Sequence, residues 1–294
     1  MTDTQTVARR LEERLEGLPL LPSVVLDLLR LDPKGDHYFE KVSSLISGDP
    51  PFAARVLRAA ASAAMAPSHA AGIPTIHQAI TRLGARGAVN LVVTQSATRV
   101  FLPRSAWERE LWVHALSTAT LANRLAPLLR LRTIDPAVAY LAGLMHDIGH
   151  FVLYLEAPDE LREIGEVGWT TPTALIQAEK EVCGFTHAEL GYLAACKWQL
   201  PEDLAGFIRH HHAAHPGPPH VRAEVVPLIQ LVRVADWLAM LFPKHVAQGA
   251  TDPELFALVG LHMGDLFMVN AEYVTKEIRA GLEEAKAALG ELGL

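Results

Sequence analysis

Residues 141–150 read Leu141-Ala142-Gly143-Leu144-Met145-His146-Asp147-Ile148-Gly149-His150. An imidazole and a carboxylate stand side by side in a run of apolar and small residues, which predicts a helix packed deep in the protein. A buried ionised carboxylate is costly unless it is paired, so Asp147 calls for a donor network, a cation or a metal. His146 is its first neighbour. A plain Asp–His hydrogen bond would satisfy an isolated pair, so the case for a metal rests on the chain to either side.

Histidine usage makes that case. Nine of the fourteen histidines (114, 146, 150, 187, 210, 211, 212, 215 and 220) fall between residues 114 and 220. His114, His146-Asp147, His187, His211-His212 and Asp236 lie on five candidate helices of the second half, mostly in apolar surroundings. An all-imidazole and carboxylate set suits Fe, Mn, Zn, Co or Ni, not thiolate-preferring ions. A bound divalent ion can lower the pKa of a water to about 7 and so prepare it for attack on phosphorus.

The rest of the composition narrows the class. The 294 residues are half hydrophobic, enough for one large domain or two moderate ones, with Ala and Leu favouring helix. A net charge of −7 argues against a general nucleic-acid or anionic-membrane surface, and leaves room for a local anion site. No signal-peptide core and no uninterrupted apolar run of spanning length is expected. Cys183 and Cys196 are too few for a disulfide framework or a thiolate zinc site. The expectation is a soluble cytoplasmic protein.

Punctuation along the chain predicts helices throughout and no strand of useful length. Helices are expected over Val7–Leu15, Ser23–Leu31 (capped by Ser23), Tyr38–Ile46 and from Asp49-Pro50. Ala66 to Pro74 reads as loop. Thr75 caps a helix ended by Gly84, and Ala85–Phe101 follows. That pair resembles a helix-turn-helix, but the second helix is too apolar for a DNA groove and reads as a helical hairpin. Leu102-Pro103-Arg104-Ser105 is the expected boundary, giving an N-terminal half over 1–102 and a second over 103–294. The second half begins with Trp107–Leu129; Asp135-Pro136 opens the helix that carries His146-Asp147. Pro158, Pro172, Thr186 and Leu200-Pro201 open further helices, and Val221–Leu241 carries Asp236 ahead of a helical tail. His215 and His220 read as loop residues beside Pro216–Pro219, and Trp112 and Trp198 as core anchors.

The order His, His-Asp, His, His-His, Asp across helices resembles the HD superfamily of metal-dependent phosphohydrolases. Leu18-Pro19-Leu20-Leu21-Pro22, Ile46-Ser47-Gly48-Asp49-Pro50, Arg55-Val56-Leu57-Arg58-Ala59-Ala60 and Ala79-Ile80-Thr81-Arg82-Leu83-Gly84 are similar to the HDOD (HD-related output domain) family of bacterial signalling. So are Leu111-Trp112-Val113-His114, Gly184-Phe185-Thr186-His187-Ala188-Glu189-Leu190-Gly191 and Trp198-Gln199-Leu200-Pro201. The resemblance spans about residues 15 to 240. It implies an all-α fold, with an N-terminal helical subdomain packed against an HD-like helical bundle.

By position, His114, His146, Asp147 and Asp236 match the one-metal ligands, and His187, His211 and His212 the extra ligands of two-metal relatives. Adjacent helical residues differ by about 100°, so at most two of His210-His211-His212 can face one site, and the match selects the last two. His210 is expected to face solvent. His150 and Arg209 are candidates for contact with a bound anion. The related HD-GYP cyclic-di-GMP phosphodiesterases follow their His-His pair with Glu and Asp-Gly-x-Gly-Tyr-Pro. Here Ala213-Ala214-His215-Pro216-Gly217-Pro218-Pro219 follows, and His150 replaces a lysine, which disfavours cyclic-di-GMP hydrolysis.

Two function classes result. One is a stand-alone HDOD regulatory module acting on a signalling protein in trans, with one or two divalent ions (Fe, Mn, Ni or Zn). The other is a phosphohydrolase acting on a nucleotide or other small phosphorylated ligand, with Asp147 at the metals. A DNA-binding regulator fits poorly with the charge.

Overall fold

A computed structural model describes residues 3–61, 75–130, 134–213 and 221–294. The expected loops at 66–74 and 216–219, with His215 and His220, lie outside the described residues. The described residues form an all-α protein, whose only extended pairing is an isolated bridge between Leu129 and Phe267.

Two compact units emerge. The first comprises Pro19–Leu102 with Trp198–Pro201. It holds α2 (Ser23–Arg30), α3 (Tyr38–Ser47), α4 (Pro50–Ala60), α5 (Ile76–Leu83) and α6 (Ala85–Val100). Local chemistry sets several starts. Asp49 accepts from the Phe52 N–H ahead of Pro50 and Pro51, and Thr75 and Gln78 close a reciprocal capping box. At α2 the expected Ser23 cap is replaced by Pro22, which has no side chain to accept a hydrogen bond. Gly84, at φ +74°, makes the left-handed turn between α5 and α6. Helix α6 is the centre of this unit, touched by α2, α3, α4 and α5, with Ala88, Val89, Val92, Val93 and Ala97 buried. Its apolar face is consumed by packing, as in a helical hairpin. Trp198 belongs here: its indole N–H donates to the Pro19 carbonyl at 3.0 Å and its ring meets Phe101 edge-on.

The second unit takes in Met1–Leu18, Pro103–Lys197 and Glu202–Leu294. The first helix, α1 (Asp3–Glu16), is part of it: Arg14 Nη2 meets both carboxylate oxygens of Glu160, and Nη1 donates to the Glu156 carbonyl at 3.1 Å. At the middle runs α7 (Ala106–Leu125), started by a Ser105–Glu108 capping box and flanked by α8 (Pro136–Met145), α14 (Val226–Ala247) and α16 (Ala271–Leu292). Around them lie α9 (Ile148–Glu156), α10 (Pro158–Glu166), α11 (Pro172–Val182), α12 (His187–Lys197), α13 (Glu202–His210) and α15 (Asp252–Met263). Trp112 is buried, its ring 4.7 Å from that of Phe151.

The His146-Asp147 pair stands at a break, not on one helix as the periodicity suggested. Helix α8 ends at Met145, Asp147 has φ −99° and ψ 21°, and α9 starts at Ile148. The cause is local. The His146 ring donates from Nδ1 to the Gly143 carbonyl at 2.8 Å, the acceptor an unbroken helix would offer the Asp147 N–H. Pro136–Glu156 and α14 are apolar and long enough to cross a membrane by composition, though neither is an uninterrupted apolar run, since Asp147 divides the first and Arg233 and Asp236 the second. The first is interrupted at the pair and is 72% buried, and α14 packs on α7, α8 and α15, so core packing accounts for both.

Two glycines let the elements close on the break. A Cβ on Gly143 would lie 2.8 Å from the Ala119 Cα of α7, and one on Gly149 would lie 1.9 Å from the His187 carbonyl oxygen. Backbone cannot yield as a side chain does. Gly149→Ala is therefore expected to destabilise this unit by about 3 kcal/mol, at the upper end of overpacking costs, measured by urea denaturation. A change below about 0.5 kcal/mol would contradict the packing.

Candidate metal centre

All seven expected ligands lie in the second unit, and its helices bring them together. His114 comes from the middle of α7, His146-Asp147 from the α8–α9 break, and His187 from the first position of α12. His211-His212 directly follows α13, and Asp236 sits midway along α14. His146, His187 and His211 are buried, while Asp147, His114 and His212 keep a partly open side.

Asp147 is the hub. Its Oδ1 lies 3.2 Å from His187 Nε2 and 3.5 Å from His211 Nε2. Its Oδ2 lies 3.3 Å from His146 Nε2, 3.7 Å from His114 Nε2 and 3.4 Å from His150 Nδ1. The two carboxylate oxygens thus serve two donor groups. One is His114, His146 and Asp147; the other is Asp147, His187, His211 and His212. Asp236 extends the first, its Oδ1 3.1 Å from His114 Nε2 and 3.9 Å from His146 Nε2.

The far side of the rings explains why these nitrogens are available. His146 Nδ1 donates to the Gly143 carbonyl and His211 Nδ1 to the Ile208 carbonyl, each three residues back at a helix end. His187 Nδ1 donates to the Glu179 carboxylate at 2.7 Å. With Nδ1–H committed, each neutral ring presents an Nε2 lone pair, the arrangement that outer partners impose on ligating histidines. His146 Nε2 is fully buried and has no hydrogen-bond partner. It lies 3.3 Å from Asp147 Oδ2 and 3.9 Å from Asp236 Oδ1, where a cation between ring and carboxylates would serve all three. The donor set and this orphaned atom fit a divalent ion of the imidazole- and carboxylate-preferring class; neither cysteine takes part.

Electrostatics lead to the same demand for positive charge. Burial opposes the His187 imidazolium, but the Glu179 and Asp147 carboxylates push its pKa up to about 10. Burial likewise opposes ionisation of Asp147, yet the surrounding imidazoles hold its carboxyl well below the usual range. His114 is raised, against burial, by Asp236. His212 is driven well down by burial and by His211 and His187. Burial lowers the pKa of His211 as well, although it lies 3.5 Å from Asp147 Oδ1.

Sequence reasoning missed Glu179. This wholly buried carboxylate accepts from the His187 N–H at 3.0 Å, from His187 Nδ1, and from His150 Nε2 at 2.6 Å. It lies four residues after Leu175 and one after Ala178, both buried, so its place on the apolar stripe of α11 was the available signal. His150 is therefore a buried link between Glu179 and Asp147 that also borders a cavity. Arg209 does not reach the cluster: it is exposed, with its guanidinium 4.7 Å from the Tyr192 ring centre. His210 is half-buried, not turned out to solvent as expected.

A cavity of about 470 Å³ opens over the cluster and is bordered by His114, Asp147, His150, His212 and Asp236. The HDOD domain model matches residues 18–214, two thirds of the chain, from the first unit through His212. The chain belongs to the HDOD family. Only Asp236 among the seven ligand candidates lies beyond the HDOD match. An HDOD domain protein of unknown function from Geobacter sulfurreducens shares the fold, with TM-score 0.71 and 24% identity over 98% of this chain and 97% of that one. A candidate phosphohydrolase from Shewanella amazonensis SB2B is similar at TM-score 0.69 and 25% identity, covering 94% and 97%. An uncharacterized protein of Treponema pallidum (strain Nichols) is 30% identical over 247 residues, 80% of this chain. This chain spans 44% of that relative's length.

Proposed function

We propose that this cytoplasmic HDOD protein is a metal-dependent phosphohydrolase, acting on a small phosphorylated ligand and serving a signalling role. One observation carries the reading: the ligand cluster is open on one side to a cavity that can hold a small molecule. Structural metal sites are closed by protein ligands, whereas catalytic ones keep a position open. His114, His146, Asp147, His187, His211, His212 and Asp236 would hold one or two ions of Fe, Mn, Ni or Zn. Such an ion supplies Lewis acidity toward a phosphoryl oxygen and toward a water. The chain's own part is to fix the donors: Asp147 spans the two groups, Glu179 and two carbonyls orient three rings, and the cavity walls limit access to water.

A second reading is favoured by family membership. As an HDOD module, the protein would use the same metal and cavity to sense a ligand and report to a signalling partner in trans. Elemental analysis of untagged protein, followed by phosphate release from a phosphoester panel, separates the readings. About one or two equivalents of metal with turnover supports hydrolysis. Metal with ligand binding but no turnover leaves the sensor. Protein that takes up no metal would sink both.

Proton release gives an independent check. In metal-free protein His187 stays protonated up to about pH 10. Ligation needs its neutral Nε2, so metal uptake at pH 8 is expected to release about one proton, diminishing to none above pH 10. Calorimetry in buffers of different ionisation enthalpy reads that number. The same raised pKa gives metal-free protein stability that is complete below about pH 6.5 and lost as pH rises through 10.

A further inference from the structure

The cavity over the cluster is uneven in its chemistry. Besides the cluster residues it is lined by the buried Leu161, Ile164 and Leu175, the half-buried Met240 and Trp169, and the exposed Trp107. Among the described residues, Glu110 and Lys244 are the only charged side chains bordering it besides the cluster, and both are exposed. Among the described residues that line it there is no guanidinium and no side-chain amide; Ser117 offers the one hydroxyl, and Trp107 and Trp169 one indole N–H each.

We propose that this cavity takes a phosphate monoester whose organic group is apolar, an alkyl or aryl chain, in preference to a nucleotide. The proposal rests on the reading that the cluster holds metal. A nucleotide would set a ribose diol and a base edge along walls that offer almost no matching donors or acceptors. Those groups would give up water without return, and sites of this kind discriminate steeply against them. An alkyl chain gains roughly fourfold in affinity for each methylene it buries. A second phosphate, as in a nucleoside diphosphate or a cyclic dinucleotide, would meet apolar wall or the lone Lys244. Hydrolysis breaks the bond between phosphorus and the ester oxygen and forms one from phosphorus to the oxygen of water. The water's proton ends on the released alcohol, and inorganic phosphate is the other product.

The test uses the full chain loaded with Mn²⁺. Butyl-, hexyl- and octylphosphonate, AMP and inorganic phosphate are titrated by calorimetry and tryptophan fluorescence, and hydrolysis of the matching alkyl phosphates is followed. Affinity is expected to rise about 250-fold from butyl to octyl, with AMP at least tenfold weaker than octylphosphonate. Met240→Gln, at a half-buried wall position, is expected to weaken octylphosphonate about tenfold and leave inorganic phosphate unchanged. AMP binding as tightly as octylphosphonate, or affinity independent of chain length, would overturn the proposal while leaving the hydrolase reading standing. Chain-length-dependent binding without hydrolysis of any ester would do the reverse: the ligand class holds and the hydrolase reading fails.

Discussion

Asp147→Ala is expected to take the protein from about one or two metal equivalents to nearly none, and to abolish any phosphoester turnover. No other residue belongs to both of the donor groups that contain the aligned ligands. Removing it leaves His114, His146 and Asp236 on one side and three imidazoles on the other, with no carboxylate joining the two groups. Neutral imidazoles packed at 3.0 to 3.2 Å from His187 Nε2 then have only one another to face. A thermal readout tests the same loss without assaying a reaction. Metal at 100 times its dissociation constant adds about 2.7 kcal/mol to the native state, which for a unit of this size is on the order of 5 °C in melting temperature. Wild type should show that shift and the variant none. Wild-type metal content in Asp147→Ala would remove Asp147 from the hub and the hydrolase reading with it.

The fold was largely legible because its signals are local. Thr75 with Gln78, Ser105 with Glu108, and the prolines at 50, 136, 158 and 172 mark helix starts through chemistry that needs no partner from elsewhere. Failures came where tertiary structure overrides local pattern. Apolar periodicity runs unbroken through 141–153, so nothing in it reveals that the His146 ring takes the Gly143 carbonyl and ends α8. Likewise α1 is charged and polar, and the partners that hold it in the second unit, Glu156, Glu160 and Lys197, lie far along the chain.

The candidate site shows the same division. Its ligand residues stand out by type, since histidines and aspartates in apolar helices have few other uses. Their order along the chain resembles a known family, which supplied the set that the helices then bring together. Glu179 was hidden because Ala178-Glu179-Lys180-Glu181 looks like a solvated face. Only the stripe begun by Leu175 marks one of those charges as buried. Arg209 illustrates the converse: proximity in sequence to the histidines says nothing of direction, and its guanidinium lies on Tyr192.

Glu179→Gln is expected to weaken metal binding by 10- to 100-fold, the usual effect of losing an outer carboxylate from a ligating histidine. The amide keeps the shape but has one acceptor oxygen, where the carboxylate serves the His187 N–H, His187 Nδ1 and His150 Nε2. A purely structural role for Glu179 would lower stability and leave the proton count of metal binding unchanged. A positioning role changes it. Glu179 is the strongest influence holding the His187 proton against burial, so in the variant that proton leaves the metal-free protein at lower pH. At pH 8 metal uptake should then release fewer protons than in wild type, since only Asp147 still holds that proton. The stability side has the opposite sign: burial would raise the Glu179 pKa, but His187 and His150 hold it below its ordinary 4.5. Its contribution is complete above that pH and fades in acid, so the stability gap between wild type and variant should narrow as pH falls. Unchanged proton release together with unchanged metal affinity would reduce Glu179 to a packing residue and leave the orientation of His187 to Asp147 alone.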